Sequence, residues 1–128
     1  RMNNWNQVCN SGMIAAAIAV GDKYPEIAKE IITESVESNR RPMELMYSPD
    51  GNYVEGYGYW KYGTLFEVYM LKMLEKSFGT DFGLSQIPGF LNTGDLHTNT
   101  TMSGALAQRT TDMGRKFIEF FGLNDVEL

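Results

Sequence analysis

Residues 48–63 read Ser-Pro-Asp-Gly-Asn-Tyr-Val-Glu-Gly-Tyr-Gly-Tyr-Trp-Lys-Tyr-Gly, and no other stretch limits the fold so strongly. Four glycines and four of the seven tyrosines fall within it, beside Trp60, Asp50, Glu55 and Lys61. Such a stretch makes a poor core element. Glycine buries no side chain and costs backbone entropy on ordering, and each buried tyrosine needs a partner for its hydroxyl. Helical patterns flank it on both sides, so the expectation is a functional loop held on a rigid helical support.

The flanking patterns define the rest of the fold. Ala15, Ala16, Ala17 and Ala19 favour a first helix over 5–20, with Gly21 as its stop. Pro25 opens a second helix, where its missing N–H does no harm. Ile27, Ala28, Ile31, Ile32 and Val36 form its apolar face, with Glu30, Glu34 and Glu37 opposite. Pro42 interrupts or restarts this helix, and 43–47 adds a turn or two. A third helix over 64–78 carries Leu65, Phe66, Tyr69, Met70, Met73, Leu74 and Phe78, and ends at Gly79. Residues 80–95 are turn-rich, with a short helix after Pro88. A last helix over 103–121 presents Leu106, Met113, Phe117 and Phe120, and Gly122 ends it. No strand-length alternation is present, so the fold class is all-α in a single domain. Helix pairs joined alternately by short and long connections read as part of a larger helical array.

Charge and hydropathy exclude several functions. The net charge is −5 over 128 residues, and Lys and Arg form no basic stripe, which disfavours a nucleic-acid partner. Arg40, Arg41 and Lys61 lie near enough to the tyrosine stretch to supply a local basic pocket. The apolar run 13–20 is too short to span a bilayer. Asparagines precede it where a signal peptide carries positive charge, so it reads as a buried helix. Cys9 is the only cysteine, which excludes an internal disulfide; it reads as a small buried hydrophobe. The polar, asparagine-rich start at Arg1 has the look of a piece of a longer protein.

Two constellations offer chemistry. Asn3-Asn4-Trp5-Asn6-Gln7 opens the first helix. Amide side chains bind a carboxylate or sugar hydroxyls without adding charge, and a helix N-terminus favours an anion. The alternative is ordinary capping with an exposed polar end. Trp5 is either a stacking platform for a sugar or a core residue. In the second constellation, a tyrosine beside a cation serves as general acid or base, and its ring stacks on a pyranose; the alternative is a turn stiffened by packed aromatics. Asp50 and Glu55 also form a candidate glycosidase pair. His97, the only histidine, has no cysteine or carboxylate cluster around it, so no metal site is expected. Asn99-Thr100-Thr101 matches a glycosylation sequon, a common chance match. The methionines read as core.

Asn3-Asn4-Trp5-Asn6-Gln7-Val8-Cys9-Asn10-Ser11-Gly12, taken with Pro49-Asp50-Gly51-Asn52-Tyr53-Val54-Glu55-Gly56-Tyr57-Gly58-Tyr59-Trp60, resembles heparinase II/III-like polysaccharide lyases. The segments Gly79-Thr80-Asp81-Phe82-Gly83-Leu84 and Pro88-Gly89-Phe90-Leu91-Asn92-Thr93-Gly94-Asp95 look like the same group, so the resemblance covers about residues 3–95. It implies helical hairpins forming part of an incomplete α/α toroid and β-elimination on a uronic-acid-containing polysaccharide, with no cofactor. It also implies a periplasmic or secreted bacterial protein.

By that resemblance Asn4 binds the uronate carboxylate and Tyr59 is the acid, and the base as well. Asn3, Trp5, Gln7, Tyr57 and Trp60 line the sugar cleft, and Glu55 orients the site. Many members carry histidine after the asparagine, where this chain has Trp5. A second family histidine comes from a β-sandwich domain that these 128 residues lack, so activity of this segment alone is an open expectation. The alternatives are a non-catalytic carbohydrate-binding or scaffold module and a glycoside hydrolase on a related toroid. The expected partner is an acidic polysaccharide or oligosaccharide, with no membrane partner; exposed helix faces also offer a route to a dimer.

Overall fold

The computed structural model describes residues 3–94. The expected helix over 103–121, His97 and the sequon at 99–101 lie outside the described residues. Within them the fold is all-α, with three α-helices and no strand.

The alanine-rich run forms α1, Trp5–Val20, with the bounds its sequence predicts and Gly21 as its C-cap. Pro25 opens α2, Pro25–Tyr47, from the first-turn position. The third helix, α3, spans Tyr57–Phe78, and Gly79 closes it in the left-handed conformation. One turn of 3₁₀ helix follows at Leu84–Gln86, and after Pro88 the chain turns helical at 93–94, where the described residues end. The helix α1 packs against both α2 and α3.

The long α2 corrects one expectation. Pro42 neither ends nor restarts the helix but lies buried inside it. Proline has no N–H, so the carbonyl four residues back loses its helical partner. That carbonyl belongs to Ser38, and it accepts instead from the Asn6 side chain of α1 at 3.2 Å. The Ser38 hydroxyl donates to Asn10 Oδ1 at 3.0 Å, and Asn10 Nδ2 donates back to Asn6 Oδ1 at 3.1 Å. Part of the asparagine-rich start of α1 is thus spent bridging the gap that Pro42 leaves.

The start of α3 corrects another. Tyr57-Gly58-Tyr59-Trp60-Lys61-Tyr62-Gly63 is helical, so the glycine-rich tyrosine stretch is loop only up to Gly56. The buried face of α3 runs through Thr64, Glu67, Val68, Leu71 and Leu74, while Tyr69 and Phe78 are exposed. Of the expected face, Met70 and Leu74 are buried and Met73 packs against the core, and the buried side also takes in Glu67, Val68 and Leu71. Ile27 is exposed on α2, and Met13 and Cys9 are exposed on α1. The apolar core gathers Ile14, Met43, Met46, Tyr47, Met70 and Leu74 with Tyr53, Leu84 and Phe90 from the connections.

The interior also holds an ionisable side chain. Glu67 is fully buried, and Asn39 Nδ2 of α2 donates to its two carboxylate oxygens at 2.8 and 2.7 Å. Nearby, the hydroxyls of Tyr47 and Thr64 share a buried hydrogen bond of 2.9 Å. Burial raises the Glu67 pKa from 4.5 to about 8, against the opposing effect of the Asn39 amide. Burial first, and then the charge of Glu67, also push the Tyr47 hydroxyl well above its ordinary value.

Folding therefore takes up a proton between these two pKa values. Stability contributed by neutral Glu67 is full below about 4.5 and falls as pH rises to about 8. The loss is on the order of a few kcal/mol. A thermal-unfolding series against pH will show this decline, and Glu67→Gln will flatten it; an unchanged pH profile in the variant contradicts the assignment. Asn6→Ala will cost about 0.5–1 kcal/mol, because the Ser38 carbonyl it leaves is exposed and water can take its place. The same change in a Pro42→Ala background, where the N–H is restored, will cost less, as a double-mutant cycle in urea will read.

Candidate functional site

The segment between α2 and α3 is tied down from several sides. Gly51 N–H donates to the Tyr47 carbonyl at 2.6 Å, and the Ser48 hydroxyl to the Pro88 carbonyl at 3.1 Å. The Thr93 hydroxyl donates to the Gly51 carbonyl at 2.5 Å and accepts from the Trp60 indole N–H at 2.9 Å. The rings of Tyr53 and Phe90 pack on Tyr47 with centroids 5.3 and 5.1 Å away. Gly89 makes this closure feasible. Its φ is 84°, and a Cβ there would run into the Tyr47 carbonyl oxygen.

Glu55 then precedes Gly56, whose φ of 84° turns the chain into α3. The Glu55 carboxylate reaches across to the start of α1 and accepts the Asn4 backbone N–H at 2.7 Å. A carboxylate at a helix N-terminus satisfies an orphan donor and complements the helix dipole. Beneath it, the Tyr53 hydroxyl lies 3.4 Å from the side-chain amide of the fully buried Gln7. The Gln7 amide is best satisfied with its nitrogen toward the Asn3 and Asn4 carbonyls, at 3.3 and 3.1 Å. Burial, followed by the charge of Glu55, raises the Tyr53 hydroxyl pKa, so this residue stays protonated and structural.

Above this floor lies a cavity of about 340 Å³ lined by Asn4, Trp5, Gly58, Tyr59 and Tyr62. It is shallow and opens widely to solvent. Asn4 is only 3% exposed, whereas Trp5 and Tyr59 are 53% and 59% exposed. Asn4 occupies the N-cap position of α1 without a side-chain cap hydrogen bond. Its backbone is committed to Glu55, while its side-chain amide has no partner among the described residues. The capping alternative is therefore not what this asparagine does. Trp5 sits at the cavity rather than in the core.

The structure brings Asn4, Trp5 and Tyr59 together and sends the other expected residues elsewhere. Gln7 is enclosed in the floor, inaccessible to a ligand. Glu55 holds the Asn4 backbone. Asn3 is half-buried, with its Oδ1 enclosed and unpartnered among the described residues. Tyr57 and Trp60 pack ring against ring, centroids 5.5 Å apart, and the Trp60 indole faces Thr93. Neither lines the cavity. The suggested basic pocket does not form there either. Arg40 donates to the Phe82 carbonyl at 2.9 Å, and neither Arg41 nor Lys61 lines the cavity. Asp50 accepts from the Asn52 N–H at 3.1 Å in its own turn, so Asp50 and Glu55 are both engaged with backbone. Among the described residues no cluster of histidine, cysteine and carboxylates could hold a metal ion, and no helix is long and apolar enough to cross a membrane.

Tyr62 and Gly58 belong to the cavity and were missed. Tyr59 and Tyr62 share a helix face by their i, i+3 spacing, a signal that a loop reading of 57–63 hides. Chemically, the cavity offers flat, mostly apolar aromatic walls, with Asn4 and Tyr59 among the residues that line it. These can bind a carboxylate, carry a proton and stack on a sugar ring. No family model matches the chain, and no curated protein matches it.

Proposed function

We propose that this protein is a polysaccharide lyase acting on uronic-acid-containing glycans by β-elimination. In this reading the helices are part of an incomplete α/α toroid, and the protein works in the periplasm or outside the cell. The observation that supports it is the meeting of Asn4 and Tyr59, from distant parts of the chain, in one aromatic-walled cavity. The resemblance of the two segments that carry them to heparinase II/III-like lyases supports the same reading.

The chemistry assigns each residue a task. The proton next to a uronate carboxylate is weakly acidic until the negative charge on that group is offset. The Asn4 amide donates to the carboxylate and stabilises the enolate-like charge as the proton leaves. The electron pair of the broken C–H bond forms a carbon–carbon double bond, and the glycosidic C–O bond breaks on the far carbon. Tyr59 gives a proton to the departing oxygen and recovers one from the carbon acid, so no water is consumed. Trp5 and Tyr62 offer rings against which the sugar can stack.

A second reading has its own support. The cavity lining contains no histidine and no cation, which suits a carbohydrate-binding module that performs no chemistry.

The full-length protein, incubated with alginate, heparin and chondroitin, will generate ultraviolet absorbance from the new double bond conjugated to the carboxylate. Tyr59→Phe and Asn4→Ala will each slow that signal by about 10²-fold or more. A flat trace with all three polymers overturns the lyase reading. Glycan binding that survives Tyr59→Phe, with no product formed, establishes the binding module instead.

A further inference from the structure

Gly63 stands inside α3 in ordinary helical geometry, where alanine is normally the better residue. No positive φ calls for a glycine there. The reason lies in its surroundings. A Cβ on Gly63 would lie 2.6 Å from the Tyr53 hydroxyl oxygen, 3.1 Å from Asn4 Cβ and 3.4 Å from the Gln7 side-chain amide. Asn4 and Gln7 belong to the start of α1, and Tyr53 to the segment before α3. The missing methyl group is thus a notch into which the first turn of α1 settles. Tyr59 lies one turn earlier on α3, and Tyr62 is the preceding residue, so notch and cavity share the same stretch of helix. From the other side, the Glu55 carboxylate holds the same first turn through the Asn4 N–H at 2.7 Å.

We infer that Gly63 and Glu55 are positioning residues that set where Asn4 stands relative to Tyr59. Gly63 fixes how closely the first turn of α1 approaches α3. Glu55 fixes that turn against the entry to α3. Neither lines the cavity, so both act through Asn4. The inference rests on the reading of Asn4 and Tyr59 as a functional pair, and it extends that reading to the residues that hold the pair in register.

Four variants of the full-length protein test it: Gly63→Ala, Glu55→Ala, Glu55→Gln, and Gly63→Ala combined with Tyr53→Phe, the last compared with Tyr53→Phe alone. In Gly63→Ala the methyl group displaces Asn4, and kcat on a uronate polymer will fall about tenfold to a hundredfold with KM within about threefold. The combined variant removes the hydroxyl nearest the new methyl group. Its Tm will return to that of Tyr53→Phe, but its kcat will stay low because the Asn4 contact remains. Recovery of both, or an undiminished kcat in Gly63→Ala, overturns the role of Gly63.

For Glu55, the readout is hydrogen exchange at the Asn4 backbone amide. Exchange will quicken about tenfold or more in Glu55→Ala. Glu55→Gln, which keeps a carbonyl acceptor, will retain most of the protection and of kcat. Unchanged exchange in Glu55→Ala overturns the role of Glu55. A wild-type protein without turnover defeats the lyase reading, and exchange at Asn4 in the Glu55 and Gly63 variants then decides the positioning by itself, unchanged protection in all of them overturning it.

Discussion

The first turn of α1 rests directly on α3 where Gly63 leaves room for it, and the arrangement of the cavity follows from that crossing. A helix pair usually keeps its backbones apart by the thickness of two side chains. Here one of the two is missing, so Asn4 Cβ sits against the α3 backbone. The Glu55 carboxylate closes the contact from the entry to α3, and the buried Gln7 and Tyr53 side chains support it from below. Asn4 is consequently enclosed, whereas the aromatic residues around it remain open to solvent. The proposed binding of a uronate rests on this arrangement of an enclosed asparagine beside accessible rings.

The same economy of polar groups runs through the interior. Buried polar atoms cost stability unless they are paired, and in this fold most pairs bridge different elements. Asn39 of α2 holds Glu67 of α3 and Tyr47 of α2 meets Thr64 of α3, while at the surface Asn6 of α1 serves the Ser38 carbonyl of α2. Each bridge specifies one relative placement of two helices. Greasy contacts alone, rich in adaptable methionines such as Met43, Met46 and Met70, would specify it less sharply. Glu67 is the extreme case, since its burial is tolerated by keeping its proton.

How much of this was legible in the sequence depends on the kind of signal involved. The first helix was fully legible, because alanine propensity and a glycine stop act locally. Pro25 and Gly79 marked helix ends for the same reason. Pro42 misled, because the group that compensates for it is Asn6, far away in sequence and reachable only after α1 and α2 have packed. The stretch 57–63 misled in the opposite sense. Its glycines argue against a helix locally, but Gly63 is there for a tertiary contact that no local rule records. Of the site, Asn4, Trp5 and Tyr59 were legible through motif resemblance. Gln7, Tyr57 and Trp60 were assigned to the cleft with them, although helix geometry turns their side chains inward or toward Thr93. Tyr62 went unnoticed until 57–63 became a helix with faces.

The proposed chemistry requires that one bound uronate meet Asn4 and Tyr59 together. The direct measurement is a crystal structure of the full-length Tyr59→Phe protein with a uronate oligosaccharide bound. The account predicts a sugar carboxylate within about 3 Å of the Asn4 side-chain amide. It also predicts the glycosidic oxygen beside the ring at position 59 and a pyranose face against Trp5 or Tyr62. An oligosaccharide bound elsewhere, or one whose carboxylate faces away from Asn4, would contradict it.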